Sequence, residues 1–256
     1  MLQAHSFLWN YLWVAPNVFL LSLGLIVWKR GLSRQFPAFF AFAILSAAGG
    51  LAVFLADILP LVSPEQFWYI DWFCLLIESF LKFLVIAEIF SRVLNPYPSV
   101  SRLGRVLVSG FGAVLVLLGV LAAALSRGDT NFRLIAGYHL LEQTVFLIEC
   151  GLVLFIFLFA AYFHLSWDHF SFGLLLGFGV SACAYLATWA VITNVAPSAH
   201  GRVLLDLLNM AIYHACVLLW FYYLLVPGKV VAKSPIPLPE NTLDVWNREL
   251  ERLVHP

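Results

Sequence analysis

The sequence predicts an all-α membrane protein of seven transmembrane helices. Three observations carry that prediction: an apolar share that no water-facing surface could hide, apolar runs of bilayer length, and a one-sided distribution of Lys and Arg. Of the 256 residues, 62% are apolar and 11% charged, against about 45–50% and 25% in soluble domains. Basic and acidic residues number 14 each, so net charge points neither to nucleic acid nor to an acidic substrate. Crossing the hydrocarbon takes about 20 helical residues. Lipid offers no partner for backbone N–H and C=O groups, so each run is expected to be helical.

Span one covers 8–28, with no basic residue before it and no small-residue cleavage pattern after it. That pattern reads as a retained helix and not a removed signal peptide. Span two covers 38–60, and span three, 68–91, holds most of the intramembrane charge. After a loop with Pro96, Pro98 and Gly104, span four (106–125) carries Ser109 but no charged, amide or histidine side chain. It suits either a lipid-exposed helix or a linker between two halves. Span five is 134–163 and span six is 172–195, where Gly173, Gly177 and Gly179 mark a close-packing face. Span seven, 203–226, ends at Pro227-Gly228. The tail over 229–256 begins with an extended stretch containing Pro235, Pro237 and Pro239. A short amphipathic helix follows, with Leu243, Trp246, Leu250 and Leu253 on one face. That face lies on the inner membrane surface or bundle, or docks a cytoplasmic protein partner through 241–254.

The loops set the orientation. Lys29, Arg30, Arg34, Arg92, Arg102, Arg105, Lys229, Lys233, Arg248 and Arg252 fall on one side, and Arg127, Arg133 and Arg202 on the other. Ten against three predicts an outer N-terminus and a cytoplasmic tail. The 164–171 loop, expected to be cytoplasmic, has neither Lys nor Arg. Trp9, Trp13, Trp68 and Trp72 are placed at the outer interface, and Trp28, Trp167 and Trp220 at or near the inner one. All four cysteines fall inside spans, which leaves the redox compartment unread. Short loops and the lack of a targeting extension favour a bacterial cytoplasmic membrane. Residues 36–90 slide onto 171–225 at an offset of 135 with eight identities, Ser46/Ser181, Ser63/Ser198 and Asp71/Asp206 among them. Such a repeat would pair spans two and three with six and seven in a parallel three-plus-one-plus-three arrangement.

An ionisable group deep in a span costs roughly 2.5–3.5 kcal/mol on insertion scales and is a functional candidate by default. Asp71, Glu78, Lys82, His139, Glu142, Glu149, Asp206, Asn209, Tyr213 and His214 are the candidate ligand or ion pocket. Helical spacing brings Glu78, Lys82, Glu149 and His214 to one depth. Glu78 and Lys82, and likewise Glu88 and Arg92, are spaced to pair along their own helix. A buried ammonium needs more than one acceptor, so Lys82 is expected to reach Glu149 as well. Polar groups crowd the outer half of the spans and thin out in the inner half, which resembles a cup open outward.

Several chemistries are disfavoured. Span seven lacks the lysine a retinal Schiff base needs. No two histidines stand three or four apart inside a span, as zinc hydrolases commonly require. His139 and His214 lie about nine Å apart in depth by helical rise, which argues against a bis-histidine haem. There is no GxSxG, P-loop, CxxC or glycine-rich dinucleotide turn. No cofactor, metal or nucleic-acid partner is expected. The leading expectation is a sensor or ligand-binding receptor-like module. The alternatives are a proton- or cation-coupled carrier of a small solute and a structural subunit of a larger membrane complex. In span count and orientation alone, the outline is similar to the seven-helix input modules of some bacterial receptors.

Overall fold

The computed structural model describes residues 6–93, 110, 130–162, 168–195 and 197–226. Span four, apart from Gly110, and the tail helix lie outside them. The regular elements among the described residues are all helical, with no strand: α1 (Phe7–Lys29), a 3₁₀ turn (Leu32–Arg34), α2 (Pro37–Ile58), α3 (Pro64–Val93), α4 (Thr130–Tyr162), α5 (His169–Val195) and α6 (Ala199–Leu225). Five of these helices hold segments long and apolar enough to cross a membrane, Leu141–Ala161 being the segment in α4. The chain is an integral membrane protein. In α3, by contrast, any 18 consecutive residues include at least three of Glu65, Asp71, Glu78, Lys82, Glu88 and Arg92.

Local chemistry sets the helix starts. Ser6 Oγ accepts from Trp9 N–H at 3.3 Å to cap α1. Pro37 opens α2 where its missing N–H costs nothing. Ahead of α3, Ser63 Oγ accepts from Gln66 N–H at 3.2 Å and Gln66 Oε1 accepts from Ser63 N–H at 3.0 Å, a reciprocal capping box. Asp168 Oδ1 accepts from Ser171 N–H at 3.0 Å before α5, and Ser198 Oγ from Gly201 N–H at 3.3 Å before α6.

Each helix packs on the next, and α6 closes back on α1, so the six form a ring. Neighbours run antiparallel except at two seams. Trp68 meets Tyr138, Lys82 meets Glu149 and Phe90 meets Phe155, so α3 and α4 run parallel. Tyr11 meets His214, Phe19 meets Phe221 and Arg30 meets Leu224, so α1 and α6 run parallel too. Helices α2 and α3 thus stand three places round the ring from α5 and α6.

The end of the ring where α1 finishes is the basal end. Just inside it, Phe39, Phe42, Phe178 and Trp220 are fully or almost fully buried and pack with centroids 4.9–6.2 Å apart. The Trp220 indole lies over Gly177, where an added Cβ would fall inside the ring, and Gly173 gives Tyr223 the same room. Gly173 and Gly177 therefore form a close-packing face toward α6, whereas Gly179, expected on the same face, turns to Val153 of α4. Trp220 corrects the expected inner aromatic belt: it is 1% exposed and donates from Nε1 to Leu174 O at 3.2 Å. Trp28, 61% exposed, does face outward.

Charges hold this basal end together. Glu88 accepts from Phe39 N–H at 3.2 Å and Ala38 N–H at 3.5 Å, so a carboxylate from α3 caps α2 at its positive end. Arg92, one turn on, lies 3.9 Å over the Phe36 ring. Arg30 Nη1 donates to Leu224 O at 2.8 Å, closing the last turn of α6. Glu88 and Arg92 still attract each other along their helix, as expected, and each also sits beside a terminus or ring of a neighbour.

Candidate functional site

At mid-depth, above the aromatic layer, the ring leaves a central cavity of about 290 Å³. Every described helix contributes to its wall. Leu12, Trp13, Pro16 and Asn17 come from α1, Ser46 and Gly50 from α2, and Glu78 and Lys82 from α3. Glu142 and Phe146 come from α4, Ser181 and Tyr185 from α5, and Asn209, Met210 and Tyr213 from α6.

The charged part of the wall centres on Lys82, which is only 6% exposed. Its Nζ lies 3.0 Å from Glu78 Oε1, one turn before it, and 3.8 Å from Glu149 Oε2 across the α3–α4 seam. The same ammonium stands 4.6 Å from the Phe146 ring centroid. Lys82 thus reaches both carboxylates, as the need of a buried ammonium for several acceptors implied. Glu149 is 0% exposed, and neither of its oxygens has a hydrogen-bond partner; at 3.8 Å the lysine attracts it without forming such a bond.

Apolar and amide groups complete the wall. Phe146 and Tyr185 stack with centroids 4.0 Å apart, joining α4 to α5. One turn toward the base, Cys150 and Cys183 bring their Sγ atoms to 3.4 Å across the same seam. Thr188 Oγ1 donates to Asn209 Oδ1 at 3.0 Å and so orients that amide. Asn17 Nδ2 donates to Trp13 O at 2.8 Å. An added Cβ at Gly50 would fall on the Asn17 amide, so glycine there is what lets a polar side chain fit between α1 and α2. Ser46 is a wall residue whose Oγ is buried and has no hydrogen-bond partner.

Of the ten candidates read from the sequence, Glu78, Lys82, Glu142, Asn209 and Tyr213 line the cavity, and Glu149 lies behind Lys82. Asp71, His139 and Asp206 are not in the wall. Asp71 interacts with Tyr138, which packs on Trp68 and Trp72. His139 Nδ1 lies 3.6 Å from Glu142 Oε2, its ring against Trp189. His214 does not join the midplane group: its ring sits between Tyr11 and Phe19 of α1, at 5.8 and 5.5 Å. A shared depth says nothing about azimuth, and His214 points one seam away. Wall residues outside the candidate set include Asn17, Ser46, Phe146, Ser181 and Tyr185. Ser46 and Ser181 had a signal, since the 135-residue offset relates them, and it also relates Gly50 to Tyr185 and Glu78 to Tyr213.

The site can therefore present both signs of charge, amide and hydroxyl groups and aromatic faces to a small molecule. Among the described residues, no three His, Cys, Asp or Glu side chains converge to hold a metal ion. Comparison with known families, with curated proteins and with solved structures finds no match.

Proposed function

We propose that this chain is a seven-span, receptor-like membrane protein that binds a small ligand in the central cavity from the outer side. The tail helix is then its link to a cytoplasmic partner, and the bacterial cytoplasmic membrane its place. The carrying observation is the cavity itself: about 290 Å³, walled by all six described helices and underlain by packed aromatic rings. Small-ligand sites begin at about 300 Å³ and combine apolar walls with a few convergent polar groups.

Seven crossings have two supports beyond the apolar runs. Because α3 and α4 run parallel, the chain leaves α3 at the basal end and must return to the other end before α4 begins. The apolar run 106–125 is the segment available for that crossing. The second support concerns α3, whose exposed side is Tyr69, Phe73, Leu76, Phe80 and Leu84, a face fit for lipid. Arg30 and Arg92 at the basal end agree with that end being cytoplasmic.

Orientation is tested with single cysteines at Ser6, Ser99 and Ser234 in a background free of other cysteines. An impermeant thiol reagent on intact cells is expected to label position 6, and labelling at 99 or 234 but not at 6 overturns the orientation. Binding is tested by thermal melts of the purified protein with small cationic, anionic and neutral solutes. A solute that raises the Tm of the wild type but not of Asn209→Leu supports the pocket, and a panel without effect overturns it. A carrier is the second reading, favoured by Glu149, a buried carboxylate beside Lys82 suited to exchanging a proton. Solute flux into proteoliposomes that disappears in Glu149→Gln would select the carrier over the receptor.

A further inference from the structure

We infer that the ligand of the central cavity is a small primary ammonium ion carrying an apolar or aromatic group. The inference rests on the pocket reading above. Charge is the first argument. Glu78, Glu142 and Glu149 surround one ammonium, that of Lys82. Glu78 is matched by Lys82 at 3.0 Å. Glu142 is met on its own helix by His139 at 3.6 Å, a group that is charged only when protonated. Asp71 and Asp206 add carboxylates in the same half of the ring. Desolvated negative charge in excess favours a cation as guest.

Unused hydrogen-bonding capacity is the second argument. Ser46, 6% exposed, is a wall residue whose Oγ is buried beside the cavity without a partner. A buried hydroxyl left in that state costs free energy, and a guest with N–H groups removes the cost. Asn17 and Asn209 supply further amide acceptors in the wall. A primary ammonium has three donors to offer, whereas a quaternary one has none. The third argument is the lining: Trp13, Tyr185 and Tyr213 bring aromatic rings to the wall, beside which an organic cation and its apolar part can pack. Phe146 already accepts one ammonium in that manner. The modest volume limits the guest to a compact molecule.

Three probes of one shape separate the possibilities: benzylamine, benzyl alcohol and benzoate, titrated calorimetrically into the full-length protein in lipid nanodiscs. The expected result is saturable binding of benzylamine below about 10 mM, with the alcohol and the anion at least roughly tenfold weaker. Glu142→Gln should weaken benzylamine by about tenfold. Ser46→Ala keeps the charge, should fold as the wild type does and should weaken benzylamine severalfold, which guards against a Glu142 variant that fails to fold. Equal binding of benzyl alcohol, or preference for benzoate, overturns the cation assignment and leaves the pocket reading standing. If none of the three binds at about 10 mM, the cation assignment and the pocket reading fall together.

Discussion

The cavity level and the aromatic layer below it share α2, α5 and α6, yet particular polar groups at the two levels stand differently. In the basal layer Trp220 Nε1 has the Leu174 carbonyl, Glu88 has two amides at the start of α2, and Arg30 has the last turn of α6. At cavity level Ser46 Oγ and both oxygens of Glu149 have no hydrogen-bond partner. Polar groups with partners specify one packing, whereas polar groups without them lower stability and keep recognition capacity in reserve. The basal layer therefore holds the ring closed, and the cavity level is where binding energy can still be gained.

Substitutions that exchange the character of the two levels test this comparison. The largest loss is expected for Lys82→Met, about 3–5 kcal/mol or failure to fold, because Glu78 and Glu149 would then face each other without their cation. Adding Glu149→Gln should recover part of it, and strictly additive Tm losses across the four variants would show that the two residues do not interact. A smaller loss, of about 1–3 kcal/mol, is expected for Gly177→Val, whose methyl groups would meet the Trp220 indole. An unchanged Tm there would remove the aromatic layer from its structural role. The smallest effect belongs to Ser46→Ala: within about 0.5 kcal/mol of wild type, or a slight gain, since the hydroxyl has no bond to lose. A loss of more than about 1 kcal/mol would place Ser46 among the structural groups and erase the contrast.

Much of the fold is legible in the sequence. The extents of the described helices agree with the apolar runs to within a few residues, because a run of bilayer length must be helical, while the caps at Ser6, Ser63, Asp168 and Ser198 set the first turns a few residues earlier than the runs began. Lys82 with Glu149 is legible because depth along a helix follows from residue count. His214 is where that logic stops: its depth is readable, but its direction depends on the rotation of α6 against α1. Phe146 carries no signal, being one of many aromatic residues in apolar spans. Trp220 reads as an interfacial residue until Gly177 is seen to make room for it.

What the sequence determined alone is that these segments are helices, where they begin and end, and which of them carry charge. Lipid cannot satisfy a backbone amide, so an apolar run of bilayer length is helical whatever its neighbours. Only the tertiary structure decided the closed ring, the parallel α3–α4 seam, the cavity at its centre and the partners of each buried polar group. In a membrane the lipid-facing and protein-facing sides of a helix are about equally apolar, so hydropathy does not mark which side faces inward. Close packing of Gly177 under Trp220 and Gly50 beside Asn17, with the pairing of Lys82, settles that orientation instead.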